Sequence, residues 1–211
     1  MSGPTVLLRN EPVQARSTAR LTSLLDAAAA AIDHVGFERL TTAMVAERAG
    51  ASIGTVYRYF PDRIAVLQSV AARAVDRFSD RVRTTLGSRQ YGTWWDAIEA
   101  LIDEGVDAFA KEPAFAALRF GDVLDLRPRE NTRTGSSEVS DVLAPVLVSR
   151  YGFKDDADLP FRLEVVFQLV DSLLARAFAF DARGDKQFIR EAKRVAHSYL
   201  VSVYGEPTPA V

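Results

Sequence analysis

Residues 41–63 read TTAMVAERAGASIGTVYRYFPDR, a run that encodes two short helices separated by a glycine turn. Val45, Ala46 and Ala49 share the inner face of a first helix over about 42–49, their small side chains admitting a close neighbour. Thr42 is placed to cap that helix. Gly50 can take the left-handed backbone of a tight turn, and Ser52 can cap a second helix ending near Phe60. Pro61 breaks the ladder, and Asp62 can cap the helix that follows. The second helix carries Thr55, Tyr57, Arg58 and Tyr59 in quick succession, with Val56 and Phe60 as anchors from behind. Hydroxyls that reach phosphates and a guanidinium that reads guanine suit a major groove better than a core. Two alternatives stay open: Tyr57 and Tyr59 can instead cover the seam to the next helix, and Arg58 can be a solvated charge.

Helical periodicity extends outward in both directions. Upstream, Leu21, Leu24, Leu25, Ala28, Ala29 and Ile32 form one apolar stripe, stopped by Gly36. Downstream, a long helix runs from Asp62 toward Leu86. Further helices are expected over 93–110, 113–124, 137–151, 160–182 and 185–204, with an exposed polar loop beginning at Arg127. Glu206 to Val211 should fray. With no alternating strand pattern, the fold class is all-α, with about nine helices. The natural division puts a helix-turn-helix module at 1–63 and a larger helical domain at 64–211.

Composition narrows the function classes. The 211 residues carry a net charge of −2, which does not announce nucleic acid. The basic groups that matter are placed locally, with Arg9, Arg16 and Arg20 in or near the N-terminal arm. Arg16 and Arg20 either reach DNA through that arm or are surface charges at a helix start. Cysteine is absent and histidine occurs only as His34 and His197, so no thiolate or histidine-built metal centre is expected, and no cofactor. The start of the chain is polar and no apolar run reaches membrane-spanning length. The expectation is a soluble, cytoplasmic protein.

The 41–63 stretch is similar to the DNA-binding motif of the TetR family of one-component transcriptional regulators. Thr41/Thr42, Val45, Ala46, Ala49, Gly50, Ser52, Gly54, Thr55, Val56, Tyr57, Tyr59, Phe60 and Arg63 carry the likeness. It implies a homodimer that grips a palindromic operator and releases it when a small, largely apolar effector binds. By the same resemblance, Gly54 lets the backbone approach DNA, and Thr42, Thr55, Tyr57, Tyr59 and Arg63 hold phosphates. Arg63 would be helped there by the amide donors of the adjoining helix start. Ser52 and Arg58 complete the DNA-binding set. Ile53 stands where many relatives carry Lys, so a methyl contact replaces a charge. The resemblance also implies an effector cavity among the helices of 87–159. Candidate linings are Trp94, Trp95, Phe109, Phe115, Arg119, Phe120, Leu124, Phe167, Gln168 and Asp171, although an aromatic stripe at helical spacing equally describes plain core.

The helices of 160–204 are expected to make the dimer. The first is apolar on more than one face, which suggests a second buried surface. The interface set is Val166, Val170, Leu173, Leu174, Phe178, Ile189, Val195, Ala196 and Tyr199, arranged as a four-helix bundle about a two-fold axis. The alternative class is a helical small-molecule carrier or enzyme without DNA binding. Its best support is the acidic run Asp96, Glu99, Asp103, Glu104 and Asp107. Lacking a basic or nucleophilic partner in the sequence, that run reads as a solvated face, and no enzymatic activity is expected.

Overall fold

The computed structural model describes residues 11–88, 90–112 and 135–210. Eight α-helices and one short 3-10 turn account for the described secondary structure. The helix expected over 113–124 and most of the loop after it lie outside the described residues.

The N-terminal unit closes at Val70. In α1 (Glu11–Val35), Leu24, Leu25, Ala28 and Ile32 are buried, joined by Ala27 and Ala31. Gly36 ends the helix with φ 80°; its N–H still donates to the Ile32 carbonyl at 2.8 Å. A 3-10 turn over Phe37–Arg39 leads to α2 (Thr42–Arg48). The cap of α2 is Thr41, whose hydroxyl accepts the Met44 N–H at 3.2 Å. Thr42, expected to cap, is instead the first helical residue, because Thr41 has the extended backbone that a cap requires.

A Schellman turn joins α2 to α3 (Ile53–Tyr59). Ala51 N–H donates to the Ala46 carbonyl at 2.9 Å and Gly50 N–H to that of Glu47 at 3.1 Å. This turn needs a left-handed residue at Gly50, whose φ is 57°. Ser52 caps α3 by accepting the Thr55 N–H at 3.2 Å. Asp62 caps α4 (Arg63–Ser88) by accepting the Ala65 N–H at 2.8 Å. The compact units divide inside α4, between Val70 and Ala71, rather than at its start. Val66, Leu67 and Val70, all buried, belong to the N-terminal unit.

The C-terminal unit contains the rest of α4, α5 (Trp94–Lys111), α6 (Gly135–Tyr151), α7 (Asp158–Phe178) and α8 (Lys186–Tyr204). Thr93 and Asp96 form a reciprocal capping box at the start of α5. Packing is most extensive between α7 and α8 and between α6 and α7, with α5 laid against α7 and α8. The α7–α8 turn is tight at Gly184, where φ is 75° and a Cβ would lie 2.7 Å from Phe178 Cζ. The expected fraying of the C-terminal tail is corrected. Trp94 N–H donates to the Thr208 carbonyl at 3.4 Å and Ala210 N–H to that of Gly92 at 3.2 Å, pinning 208–210 beside the start of α5.

Candidate nucleic-acid interface

The hydrophobic effect sets the orientation of α3. Val56 is fully buried and Phe60 nearly so; together they fix the helix from behind. The remaining side chains are then turned outward. Tyr57 is 53% exposed and Ile53 44%, while Ser52, Gly54 and Arg58 are also exposed and Thr55 and Tyr59 are half-buried. An exposed isoleucine and an exposed tyrosine on a two-turn helix cost solvation unless something covers them.

Hydrogen bonds set the hydroxyls in place. Thr42 donates its hydroxyl to the Tyr57 oxygen at 3.3 Å, linking the start of α2 to the middle of α3. Ser52 and Thr55 share a hydroxyl contact of 2.9 Å. Tyr59 is 3.3 Å from the Ser17 hydroxyl of α1, and the Arg58 guanidinium lies over the Tyr59 ring at 5.4 Å from its centroid. These contacts form three groups around α3: Thr42 with Tyr57, Ser52 with Thr55, and Arg58 with Tyr59 and Ser17. Gly54 has open space around it; a Cβ there would meet nothing nearer than the Ser52 hydroxyl at 3.9 Å.

Arg63 is placed differently. Its Nη2 donates to the carbonyls of Phe37 at 2.7 Å and Glu38 at 3.1 Å, and its Nε is buried without a partner. The guanidinium is thus turned into the 3-10 turn after α1. Sequence reasoning missed this because a helix-initial arginine carries no mark of which way it points. It also passed over Met44 and Ile64, exposed at 36% and 46%.

In the C-terminal unit, several expected effector-lining residues are buried. Trp94, Phe109 and Phe167 are 1%, 4% and 7% exposed. Trp94 packs against Phe153 and His197 with ring centroids 5.9 and 6.5 Å away, and Phe109 stacks on Phe178 at 5.5 Å. Trp95 and Asp171 are half-buried and Gln168 is exposed. Phe115, Arg119, Phe120 and Leu124 lie outside the described residues.

The expected dimer face needs a correction. Val166, Val170, Leu174, Phe178 and Ala196 are buried within the chain itself, so they have no surface left to offer a partner. Leu173, Ile189, Val195 and Tyr199 remain half-buried. The large exposed apolar groups of α7 and its end are Phe161, Leu169 and Phe180, with Val203 on α8. Phe161, Val165, Leu169 and Leu173 recur every four residues, a second stripe beside the core-facing one, so the signal was present in the spacing.

The acidic run is also not simply solvated. Asp103 and Glu99 hold the Lys193 ammonium of α8 at 2.7 and 3.1 Å. Burial disfavours that charge, yet the two carboxylates outweigh it and raise the Lys193 pKa above its ordinary value. Glu104 accepts the Thr85 hydroxyl at 2.7 Å, Asp96 is a cap and Asp107 pairs with Lys111. Glu99, Asp103 and Glu104 thus tie α5 to its neighbours, while Asp96 and Asp107 serve α5 itself. Among the described residues no cluster of acidic or histidine side chains is arranged to hold a metal, and no helix is long and apolar enough to cross a membrane.

Comparison with known proteins gives matches to both units. Residues 24–70 match the family described as bacterial regulatory proteins, tetR family, and residues 92–204 match the tetracyclin repressor-like C-terminal domain. The chain is 39% identical over 64 residues to the HTH-type transcriptional repressor KstR of Rhodococcus jostii, 30% of either chain. It is 31% identical over 88 residues to the HTH-type regulator BetI of Escherichia coli, 42% of this chain and 45% of that protein. The chain thus spans half or less of the length of these two curated relatives. Among solved structures, a TetR-family transcriptional regulator from Streptomyces coelicolor superposes with a TM-score of 0.75 at 30% identity, covering 89% of this chain and 99% of that one. FadR of Bacillus subtilis, solved with stearoyl-CoA, shares the fold with a TM-score of 0.62 at 16% identity, covering 88% and 99%.

Proposed function

This chain belongs to the TetR family of bacterial regulatory proteins, and from that premise we propose that it is a dimeric repressor whose α3 reads a palindromic operator and whose C-terminal unit answers to a small, largely apolar effector. The observation that carries the DNA half is α3 itself. It is anchored by Val56 and Phe60, capped by Ser52, and left with an outward face of Ile53, Gly54, Tyr57 and Arg58.

In this reading the hydroxyls of Thr42, Ser52, Thr55, Tyr57 and Tyr59 hold phosphates and set the register of the helix on the duplex. Arg58 donates to a guanine edge, Ile53 meets a thymine methyl, and Gly54 lets the α3 backbone come close. Two copies, joined through the second stripe of α7 and the half-buried face of α8, present their α3 helices about 34–36 Å apart, one turn of DNA. Because α4 runs through both units, an effector that shifts it changes that spacing. Release requires the effector to prefer the non-binding state, by about 1–3 kcal/mol in ordinary allosteric coupling.

The effector half rests on the C-terminal unit's family membership and on its aromatic content. Trp94, Trp95, Phe109, Phe167, Gln168 and Asp171 are the candidates for contact among the described residues. The relatives are regulators, and the carboxylates that suggested an enzyme are engaged in capping α5, pairing along it or joining it to its neighbours.

The test is selection of bound duplexes from a random pool, followed by Tyr57→Ala and Thr55→Ala. A palindromic consensus whose affinity drops in both variants, each still folded and dimeric, supports the reading. Normal binding by both would remove α3 as the reading helix. With the operator in hand, candidate effectors are screened for release; a ligand that binds tightly and leaves operator affinity unchanged would sink the induction step.

A further inference from the structure

Over its described residues the N-terminal unit has no net charge to draw it to DNA. Residues 11–70 contain six arginines and six carboxylates, so attraction depends on how those charges are distributed. They are not distributed evenly. An open groove of about 900 Å³ lies between the first half of α1 and the last turn of α3, lined by Arg16, Ser17, Arg20, Ser23, Arg58 and Tyr59. Three of those six arginines meet there, and no carboxylate lines it. A neighbouring groove on α1, about 830 Å³, has both Asp26 and Arg48 in its wall. Only the first groove is of one sign.

We propose that this groove is a second phosphate-binding site, which takes the DNA backbone flanking the bases read by α3. The inference rests on the operator-binding reading above and extends its footprint onto α1. Arg16 and Arg20 are one helical turn apart, so their side chains project from the same face. Both are exposed, as is Arg58, and none of the three pairs with a carboxylate among the described residues. Three guanidiniums around one concavity repel one another until an anion enters; with Arg58 turned to the bases, Arg16 and Arg20 are the pair that a phosphodiester bridges, accepting N–H groups from both. The contact between Ser17 and Tyr59 hydroxyls at 3.3 Å ties the two walls together, so the groove is set before DNA arrives. Its far wall is α3 itself, which makes the groove continuous with the reading face and favours a duplex over a free phosphate.

Arg16→Gln/Arg20→Gln in the full-length protein is the test, with operator affinity measured from 50 to 200 mM salt. Each lost phosphate contact makes the slope of log affinity against log salt shallower by about 0.9. Four arginines in a dimer give a change of about 3.6, so the advantage of the wild type over the variant shrinks roughly 150-fold across that range. The loss should be the same on operator and scrambled duplexes, because phosphate contacts carry no sequence information. Arg16→Lys/Arg20→Lys should keep most of the slope, and Arg48→Ala, from the mixed-charge groove, should keep all of it. An unchanged slope in the glutamine variant overturns the groove while leaving α3 as reader. Absence of any operator binding by the wild type overturns the parent reading instead. Titration with inorganic phosphate separates the two sources of the anion: saturation at micromolar concentration in the wild type but not the variant would make this a small-anion site and refute the DNA assignment.

Discussion

Arg63 is the residue at which family resemblance and geometry disagree, and its replacement by methionine separates them. Methionine keeps most of the buried stem and removes only the guanidinium. In the structure that group bonds two carbonyls, at 2.7 Å to Phe37 and 3.1 Å to Glu38, across 26 and 25 residues of chain. Hydrogen bonds from a charged donor are worth about 1.5–3 kcal/mol each when buried. The Phe37 bond is partly buried and the Glu38 bond is exposed, so about 1.5–3 kcal/mol for the pair is the reasonable figure. The loss should be local, because these bonds hold the 3-10 turn between α1 and α2. Amide exchange over residues 36–45 of Arg63→Met should therefore quicken about 10- to 150-fold where opening is at equilibrium, with the C-terminal unit unaffected. The salt slope of operator binding should stay as in the wild type. If Arg63 were a phosphate contact, the slope would become shallower by about 1.8 per dimer and exchange would barely change. That pair of results would refute the reasoning.

Other outcomes follow from the same structure. Gly184→Ala should destabilise the protein by about 2–4 kcal/mol in denaturant unfolding, since it combines a left-handed backbone with overpacking against Phe178 and Ile189; a loss under about 1 kcal/mol would mean the turn relaxes. Thr41→Ala should cost about 1 kcal/mol of stability as a lost cap, whereas Thr42→Ala should leave unfolding nearly unchanged and weaken operator binding, and the reverse ranking would restore Thr42 as the cap. Phe161→Glu/Leu169→Glu should yield a folded monomer in sedimentation, while Val170→Glu should unfold the chain; a dimer surviving the double change would place the interface elsewhere.

The sequence made the helix-turn-helix legible because its signals are local. Ser52, Asp62, Gly36 and Gly50 each act on backbone within a few residues, and all four sit where capping and turn chemistry put them. Thr41 and Thr42 are both good caps, and only the extended backbone at Thr41 decides between them. The C-terminal unit was less readable for a different reason. Its α7 is apolar on two faces, and composition does not say which face meets the chain's own core. Leu159, Leu163, Val166, Val170, Leu174 and Ala177 do, leaving the Phe161–Leu173 stripe for whatever lies outside. Lys193 shows a further limit: the acidic residues of α5 found their cation on a helix some ninety residues away, a pairing no spacing rule reaches.

That distinction bears on how binding and response are divided in the molecule. The DNA-facing groups are held by short-range bonds, Thr42 to Tyr57 and Ser52 to Thr55, so the reading face is preorganised and little ordering entropy is lost on binding. Where α4 meets α5, polar contacts add to a shared apolar core: Arg77 and Arg81 both pair with Glu112 at the end of α5, and the Thr85 hydroxyl donates to Glu104. Partly exposed polar contacts cost far less to rearrange than a packed core. Helix α4 is held by apolar packing along its length, Val66, Leu67 and Val70 in one unit and Ala74, Phe78, Val82 and Leu86 in the other, so the ion pairs at the end of α5 are the part of its contacts that an effector rearranges at least cost. Glu112→Gln should therefore shift effector sensitivity while leaving operator affinity without effector close to that of the wild type. Equal loss of both would show that this junction is structural and no part of the response.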